Sequence, residues 1–253
     1  MGDGLKANLN VYAVLQNLED LVRLDGEMGR LTQDWHEVVQ FLVRGGPKAY
    51  VSFSGGTCRH GRGRHERPTI KLYYPSAGYL NRAFLGAATP IPVKGLTKLE
   101  FLKNGFTELT DRLTFYLKPT PELLQDAGYR KLNTILTLQT ALFAVGELAA
   151  CEPRSRLIAA GIADGVVQVE VLPDGPRMHL VFEGGAVTVA KGPAVCKPLA
   201  TMVFRSESAA NAVLNGHLDT FCAVAEGELE VRGILPMVDD IGRILDRVRL
   251  YLS

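Results

Sequence analysis

Apolar positions along this chain fall into blocks of two periodicities, and the blocks come round twice. From Asn8 to Leu24 the residues Val11, Val14, Leu15, Leu18, Leu21 and Val22 recur at intervals of three and four, the spacing of one helix face, and Gly26 is placed to end that helix. Tyr129 to Ala150 carries so many apolar residues, among them Leu132, Leu136, Leu142 and Phe143, that a helix there must be buried on most sides. Elsewhere the period is two. Val167, Val169 and Val171 recur at every second position, and strand parity points Met178, Leu180 and Phe182 one way, with Ala200, Met202 and Phe204 doing the same on the next strand. The run Val38 to Val43 fits helix or strand on periodicity alone.

An internal comparison resolves it. Gly46-Pro47-Lys48 followed by AYVSFSGG matches Gly175-Pro176-Arg177 followed by MHLVFEGG, and extending this without gaps lays EVVQFLV on VVQVEVL, so both are first strands. Pro68 then matches Pro198, Asn81 and Gly86 match Asn211 and Gly216, PIPVKG matches ELEVRG, and DRLTFYL at Asp111 matches DRVRLYL at Asp246. The order is preserved throughout, so the chain holds two copies of one fold, expected over residues 1–118 and 119–253. Pro119-Thr120-Pro121 links them. Each copy is expected to hold a leading helix, three strands, a short helix, a further strand and a long final helix. The second gains a strand at Ala186 to Ala190, whose counterpart, Thr57 to Arg67, reads as a loop. Pro90 and Pro92 confine the first copy's last strand to an edge or a bulge.

The copies differ most between Gly86 and Pro90, where the first has three residues, and between Gly216 and Glu228, where the second has eleven, His217 to Gly227. In that insertion Leu218, Phe221, Cys222 and Ala225 repeat at helical spacing. The whole stretch Met202 to Gly233 runs strand, N-cap Ser206, helix closed by Asn215-Gly216, apolar helix closed by Glu226-Gly227, then the strand Leu229, Val231 to Gly233. This order resembles the sterol carrier protein type-two family, in which the segment covers one side of an apolar tunnel holding sterols, fatty acyl chains or other lipids. The resemblance implies an α+β chain of two tandem domains of this kind, each a mostly antiparallel sheet of about five strands covered by helices.

On that reading the first copy is degenerate and the second binds the ligand, with Leu180, Phe182, Met202, Phe204, Leu214, Leu218, Phe221, Val224, Met237 and Ile241 lining an apolar pocket roofed by residues 217–227. Burial of about 300 Å2 of a guest would contribute roughly 7 kcal/mol before ordering costs. Core packing by the same residues is the competing explanation. The expected function is non-catalytic binding or carrying of a lipid-like molecule such as a sterol, fatty acid or acyl derivative. The alternatives are an accessory protein presenting a hydrophobic intermediate, such as a quinone precursor, to an enzyme, and an enzyme with its site where the copies meet.

Composition narrows this further. Twenty-eight Lys and Arg against 27 Asp and Glu, net +1, give no global attraction to a polyanion, so any membrane contact would be transient and local. The local candidate is GTCRHGRGRHERP, where Arg59, Arg62, Arg64 and Arg67 could hold an anion. Without interleaved aromatics it does not read as a nucleic-acid site, and Cys58, His60 and His65 lack a fourth ligand for zinc. No catalytic motif, cofactor fingerprint or metal site is found. The four scattered cysteines and the MGDGLKANLN start point to a reduced, cytoplasmic protein, and oligomeric state, a homodimer included, stays open.

Overall fold

The structure, a computed structural model describing residues 2–252, divides into two compact units, residues 1–118 and 119–253. Each contains one five-stranded sheet, and the two sheets have the same topology.

In unit 1 a continuous helical run opens with α1 (Gly2–Leu9), passes through a π turn at Asn10–Val14 and a 3-10 turn at Leu15–Asn17, and continues as α2 (Leu18–Leu24). Val11, Leu15, Leu18, Leu21 and Val22 are buried, as their spacing predicts, and Val14 is half-buried. Gly26 does not end this run; it starts α3 (Gly26–Leu31), because the Asp25 carboxylate accepts from the amides of Glu27 and Met28 and begins a new helix. Then come β1 (Val38–Val43), β2 (Lys48–Ser54), β3 (Thr57–Arg62), β4 (Ile70–Tyr74), α4 (Ala77–Phe84) and β5 (Ile91–Lys94). A short α5 (Leu99–Phe101) and a π turn at Leu102–Phe106 lead into α6 (Thr107–Leu117). The strand order is β3-β2-β1-β4-β5, with β1 and β4 parallel and every other pair antiparallel.

Residues Thr57 to Arg62, expected as loop, are thus an edge strand. Gly55 and Gly56, both at positive φ, make the tight turn that brings β3 back against β2, and Gly61 gives the Tyr50 ring the space a side chain would fill. Backbone pairing here overrides a sequence rich in charge. Pro90 and Pro92 do lie at an edge, where β5 meets β4 with a register shift at Lys71/Leu72.

Unit 2 repeats the plan. The leading helix α7 (Ala127–Cys151) is capped by Asp126 and longer than its uncharged run suggests. It is long and apolar enough to cross a membrane, yet 67% of its most apolar window is buried, against α8 (Pro153–Gly161) and the strand β8 among others. The sheet is β6 (Gly165–Val171), β7 (Arg177–Glu183), β8 (Ala186–Lys191), β9 (Ala200–Phe204) and β10 (Leu229–Gly233), in the order β10-β9-β6-β7-β8. Between β9 and β10 lie α9 (Glu207–Leu214), capped by Ser206, and α10 (Thr220–Ala225), capped by Asp219; α11 (Leu235–Leu252) closes the unit.

The register corrects one step of the internal alignment. Gln40 faces Tyr50 across β1/β2, and Gln168 faces His179 across β6/β7, so Gln40 and Gln168 are equivalent and the first strands match one residue away from the gapless alignment. The turn between the strands is one residue longer in unit 2 and absorbs the difference. A one-residue slip would turn every side chain to the opposite face. Both glutamines are buried and do the same work on the sheet face away from the helices. Gln40 donates to the carbonyls of Ala49 and Gly63 and accepts from the amide of His65; Gln168 donates to the carbonyl of Met178 and accepts from the amide of Ala194. Each pins the loop that follows the third strand over that face.

Candidate functional site

Strand register assembles one apolar face on the unit 2 sheet. Val189, Leu180, Val167 and Ala200 form one row across it; Met178, Val169, Met202 and Val231 form the next; Val171, Phe204 and Leu229 form a third. Phe182 extends the face beside Val187. Helices α7 and α11 pack side by side over it, α7 on β8 and α11 on β9 and β10, and Met237 and Ile241 of α11 are buried there. Six of the ten expected lining residues, Leu180, Phe182, Met202, Phe204, Met237 and Ile241, are therefore gathered in one sheet-helix interior.

The other four lie farther out. Leu214 and Leu218 are half-buried at the end of α9 and just before α10. Phe221 is 78% exposed and Val224 44%, so these two stand on the outer surface instead of roofing a hollow; Ala223 is the α10 residue that is buried. The cause is local. With Asp219 capping the helix through the Phe221 and Cys222 amides, a helix of six residues has one narrow face to turn inward, and Ala223 occupies it. Leu199, Ile234 and Leu235 are further exposed apolar residues of unit 2, at the end of the β9/β10 pair away from α10.

The corresponding interior of unit 1 is built differently. Equivalent positions place Phe41 where unit 2 has Val169, Ile70 where it has Ala200, Leu72 where it has Met202, and Phe106 where it has Ile241. Unit 1 fills the space with interlocked rings: Trp35 meets Phe53 and Phe101 at centroid distances of 5.0 and 4.7 Å, and Phe106 meets Phe41 and Phe53 at 6.3 Å each. At three of these four positions unit 2 carries a smaller side chain, and at the fourth an unbranched methionine.

A clamp that was not anticipated from the sequence fixes the final helix in each unit. Glu152, buried at the junction of α7 and α8, accepts from the Arg247 guanidinium through both oxygens, from the Tyr251 hydroxyl at 3.0 Å, and from the Ser155 amide at 3.1 Å. Arg247, helped by Ser155 and Tyr251, holds the Glu152 carboxyl down to about 2 against the opposing effect of burial. In unit 1 Asp25 plays this part, with Arg112 at 2.7 Å and Tyr116 at 3.1 Å. Burial pushes the Asp25 carboxyl up, but its guanidinium, amide and hydroxyl partners together outweigh that and leave it below the ordinary value, while burial and the carboxylate push Tyr116 up to about 12. The matched motifs DRLTFYL and DRVRLYL supply the Arg and Tyr of each clamp. Their carboxylates differ in type and lie far upstream, which hid the pairing. A second paired feature is buried amide contact between the leading and short helices: Asn10 to Asn81 at 3.1 Å, and Asn211 to Asn133 at 2.7 Å.

The four arginines separate. Arg62 sits 4.2 Å from the Tyr12 ring centroid on the helix side of β3, whereas Arg59, opposite Ser52, shares the other side with the loop carrying Arg64 and Arg67. Cys58 and His60 share the helix side, opposite Phe53 and Val51, while His65 packs on Tyr50 across the sheet, so the three do not converge on one point. Among the described residues no group of His, Cys, Asp and Glu is placed to hold a metal ion.

Two open concavities mark the surface. One, about 490 Å3, lies in unit 1 among Met28, Asn104, Arg112 and Phe115; the other, about 360 Å3, lies in unit 2 among Leu157, Ile158 and Arg243. None of the ten expected residues lines either.

No protein-family model matches the chain, and no curated protein matches it. Among solved structures the chain is similar to sterol carrier protein type-two domains, each spanning somewhat less than half of it. A ubiquinone synthesis protein, UbiJ-SCP2, is 19% identical over 42% of this chain and 92% of its own, with a TM-score of 0.32. The sterol carrier protein domain 2 of Helicoverpa armigera is 16% identical over 44% of this chain and 87% of its own, with a TM-score of 0.35. An inverting sec-alkylsulfatase, Pisa1 of Pseudomonas sp., is 13% identical over 58% of this chain and 28% of its own, with a TM-score of 0.28.

Proposed function

We propose that unit 2 binds a lipid-like molecule between its sheet and α11 and carries it without transforming it, while unit 1 has filled the equivalent interior and serves as scaffold. The observation that carries this reading is the exchange of Phe41, Ile70 and Phe106 for Val169, Ala200 and Ile241 at matched positions of one architecture. Less side-chain volume lies between the same layers, and Met202 and Met237 can repack around guests of different shape. Entry is by way of α10. That helix is bounded by Gly216 and Gly227, both at positive φ, and only Ala223 anchors it by burial, so it can move aside with little loss of packing. Its exposed Phe221 and Val224 would then close over the guest.

Refilling the interior tests the reading. The double variant Val169→Phe/Ala200→Ile gives unit 2 the unit 1 residues at two matched positions and should abolish uptake of a fluorescent fatty acid, at a stability cost of about 1–3 kcal/mol in urea unfolding. Phe53→Ala in unit 1 should cost about 3–5 kcal/mol and leave uptake unchanged. Uptake by the refilled variant equal to that of the native chain overturns the assignment.

A second reading draws on the exposed Phe221 and Val224 of α10. Apolar side chains turned outward beside a binding site suit an accessory protein that hands a hydrophobic intermediate to an enzyme. Lipid that co-purifies in native mass spectrometry, and is released only when a partner enzyme is added, would favour it.

A further inference from the structure

Charge is divided unevenly between the units. Residues 1–118 hold sixteen Lys and Arg against eleven Asp and Glu, net +5; residues 119–253 hold twelve against sixteen, net −4. The near-neutral total conceals a polar molecule, and within unit 1 the excess is concentrated on the sheet face away from the helices.

Register places it there. Arg59 lies opposite Ser52, and Lys71 opposite both Gln40 and Lys94, all on the same side of the sheet. The loop pinned to that side by Gln40 adds Arg64 and Arg67. Arg59, Arg64, Arg67 and Lys94 are exposed, and among the described residues none of the three arginines is held in an ion pair. Glu66 is the one acid between residues 57 and 71. The matched face of unit 2 carries Glu170, Glu183 and Glu230 beside its basic residues, with Arg205 and Arg232 tied to Glu230.

Two further features decide what such a face would meet. The face runs into an apolar lip, with Ile91 opposite Tyr73 and 41% exposed, Val93 beside it 55% exposed, and Leu96 just beyond 64% exposed. The Tyr50 ring at its centre is engaged. Tyr50 is packed against Gly61 and His65, which leaves it poorly placed to stack on a base. Guanidiniums and ammoniums beside an exposed apolar margin suit an interface where phosphate oxygens adjoin hydrocarbon.

We infer that the open sheet face of unit 1, through Arg59, Arg64, Arg67, Lys71 and Lys94 with the Ile91–Leu96 lip, is a docking surface for an anionic phospholipid bilayer. The inference rests on charge and exposure in unit 1 and stands whether or not unit 2 holds a guest. Sedimentation of the full chain with phosphatidylcholine vesicles, with and without phosphatidylserine, tests it. The native chain should bind the phosphatidylserine vesicles, bind the neutral ones far less, and be released by added salt. Arg59→Gln/Arg64→Gln/Arg67→Gln should weaken binding by about a hundredfold, at roughly fivefold per lost charge. Arg154→Gln/Arg205→Gln/Arg249→Gln in unit 2, which removes the same charge, should weaken it much less. Leu96→Ser should lower binding at high salt, where the apolar part remains. The proposal is overturned if the native chain ignores phosphatidylserine vesicles, if both triple variants lose binding alike, or if a single-stranded oligonucleotide is bound through these arginines while vesicles are not. Fatty-acid uptake measured on the same variants should be unchanged, which separates this proposal from the one for unit 2.

Discussion

At the scale of single residues, the decisive group in unit 2 is a carboxylate that the fold has taken out of water and surrounded with donors. Glu152 caps α8, and through Arg247 and Tyr251 it fixes the end of α11. Since its folded value of about 2 lies below the ordinary value of 4.5, its contribution is present at neutral pH and is lost as pH falls from about 4.5 toward 2. The size follows from the shift, on the order of 2–3 kcal/mol. Glu152→Gln should therefore be less stable than the native chain at pH 7, and the gap should narrow as pH drops through that window, read by urea unfolding at a series of pH values. A gap independent of pH would show that the carboxylate's charge is not what matters. Asp25 acts with the same sign in unit 1, its value also lying below the ordinary one. Removing Arg247 alone should be worse than removing both partners, because a buried carboxylate left without its cation costs more than a neutral pair; a double-mutant cycle with Arg247→Met and Glu152→Gln measures this.

At the scale of elements, the hydrophobic pattern was a good guide wherever burial itself selects the conformation. Strand parity placed Met178, Leu180 and Phe182 on the same face as Ala200, Met202 and Phe204, and the register bears this out. The cap at Ser206 was equally legible, since a hydroxyl before an apolar run has little else to do there. What the pattern missed is decided by pairing across sequence distance. Charged β3 becomes a strand because β2 offers it a ladder, and the orientation of α10 depends on a small residue, Ala223, that periodicity does not mark as core. The residues expected to line the site are accordingly split: six lie in the sheet-helix interior, whereas Phe221 and Val224, expected in the roof, stand exposed on an outer rim. That rim makes its own prediction. Phe221→Asp should leave thermal stability nearly unchanged, as expected for a 78% exposed side chain, yet reduce fatty-acid uptake if α10 closes over the guest. Equal uptake would mean that α10 stays outside the binding event.

At the scale of the whole molecule, two copies of one architecture have kept their supports and diverged in their interiors and surfaces. The buried glutamine, the asparagine contact and the carboxylate–Arg–Tyr clamp recur in both. The ring-filled interior and the excess of positive charge belong to unit 1, the slimmer interior and inserted α10 to unit 2. A remaining consequence lies in the outermost strands. Pro92 within β5 and Pro90 just before it remove two amide donors from this margin of the unit 1 sheet and make it a poorer template for an incoming strand, while β10, at the matching margin of unit 2, has no proline and keeps its donors. An incoming extended segment would therefore meet a fuller ladder of free donors along β10 than along β5.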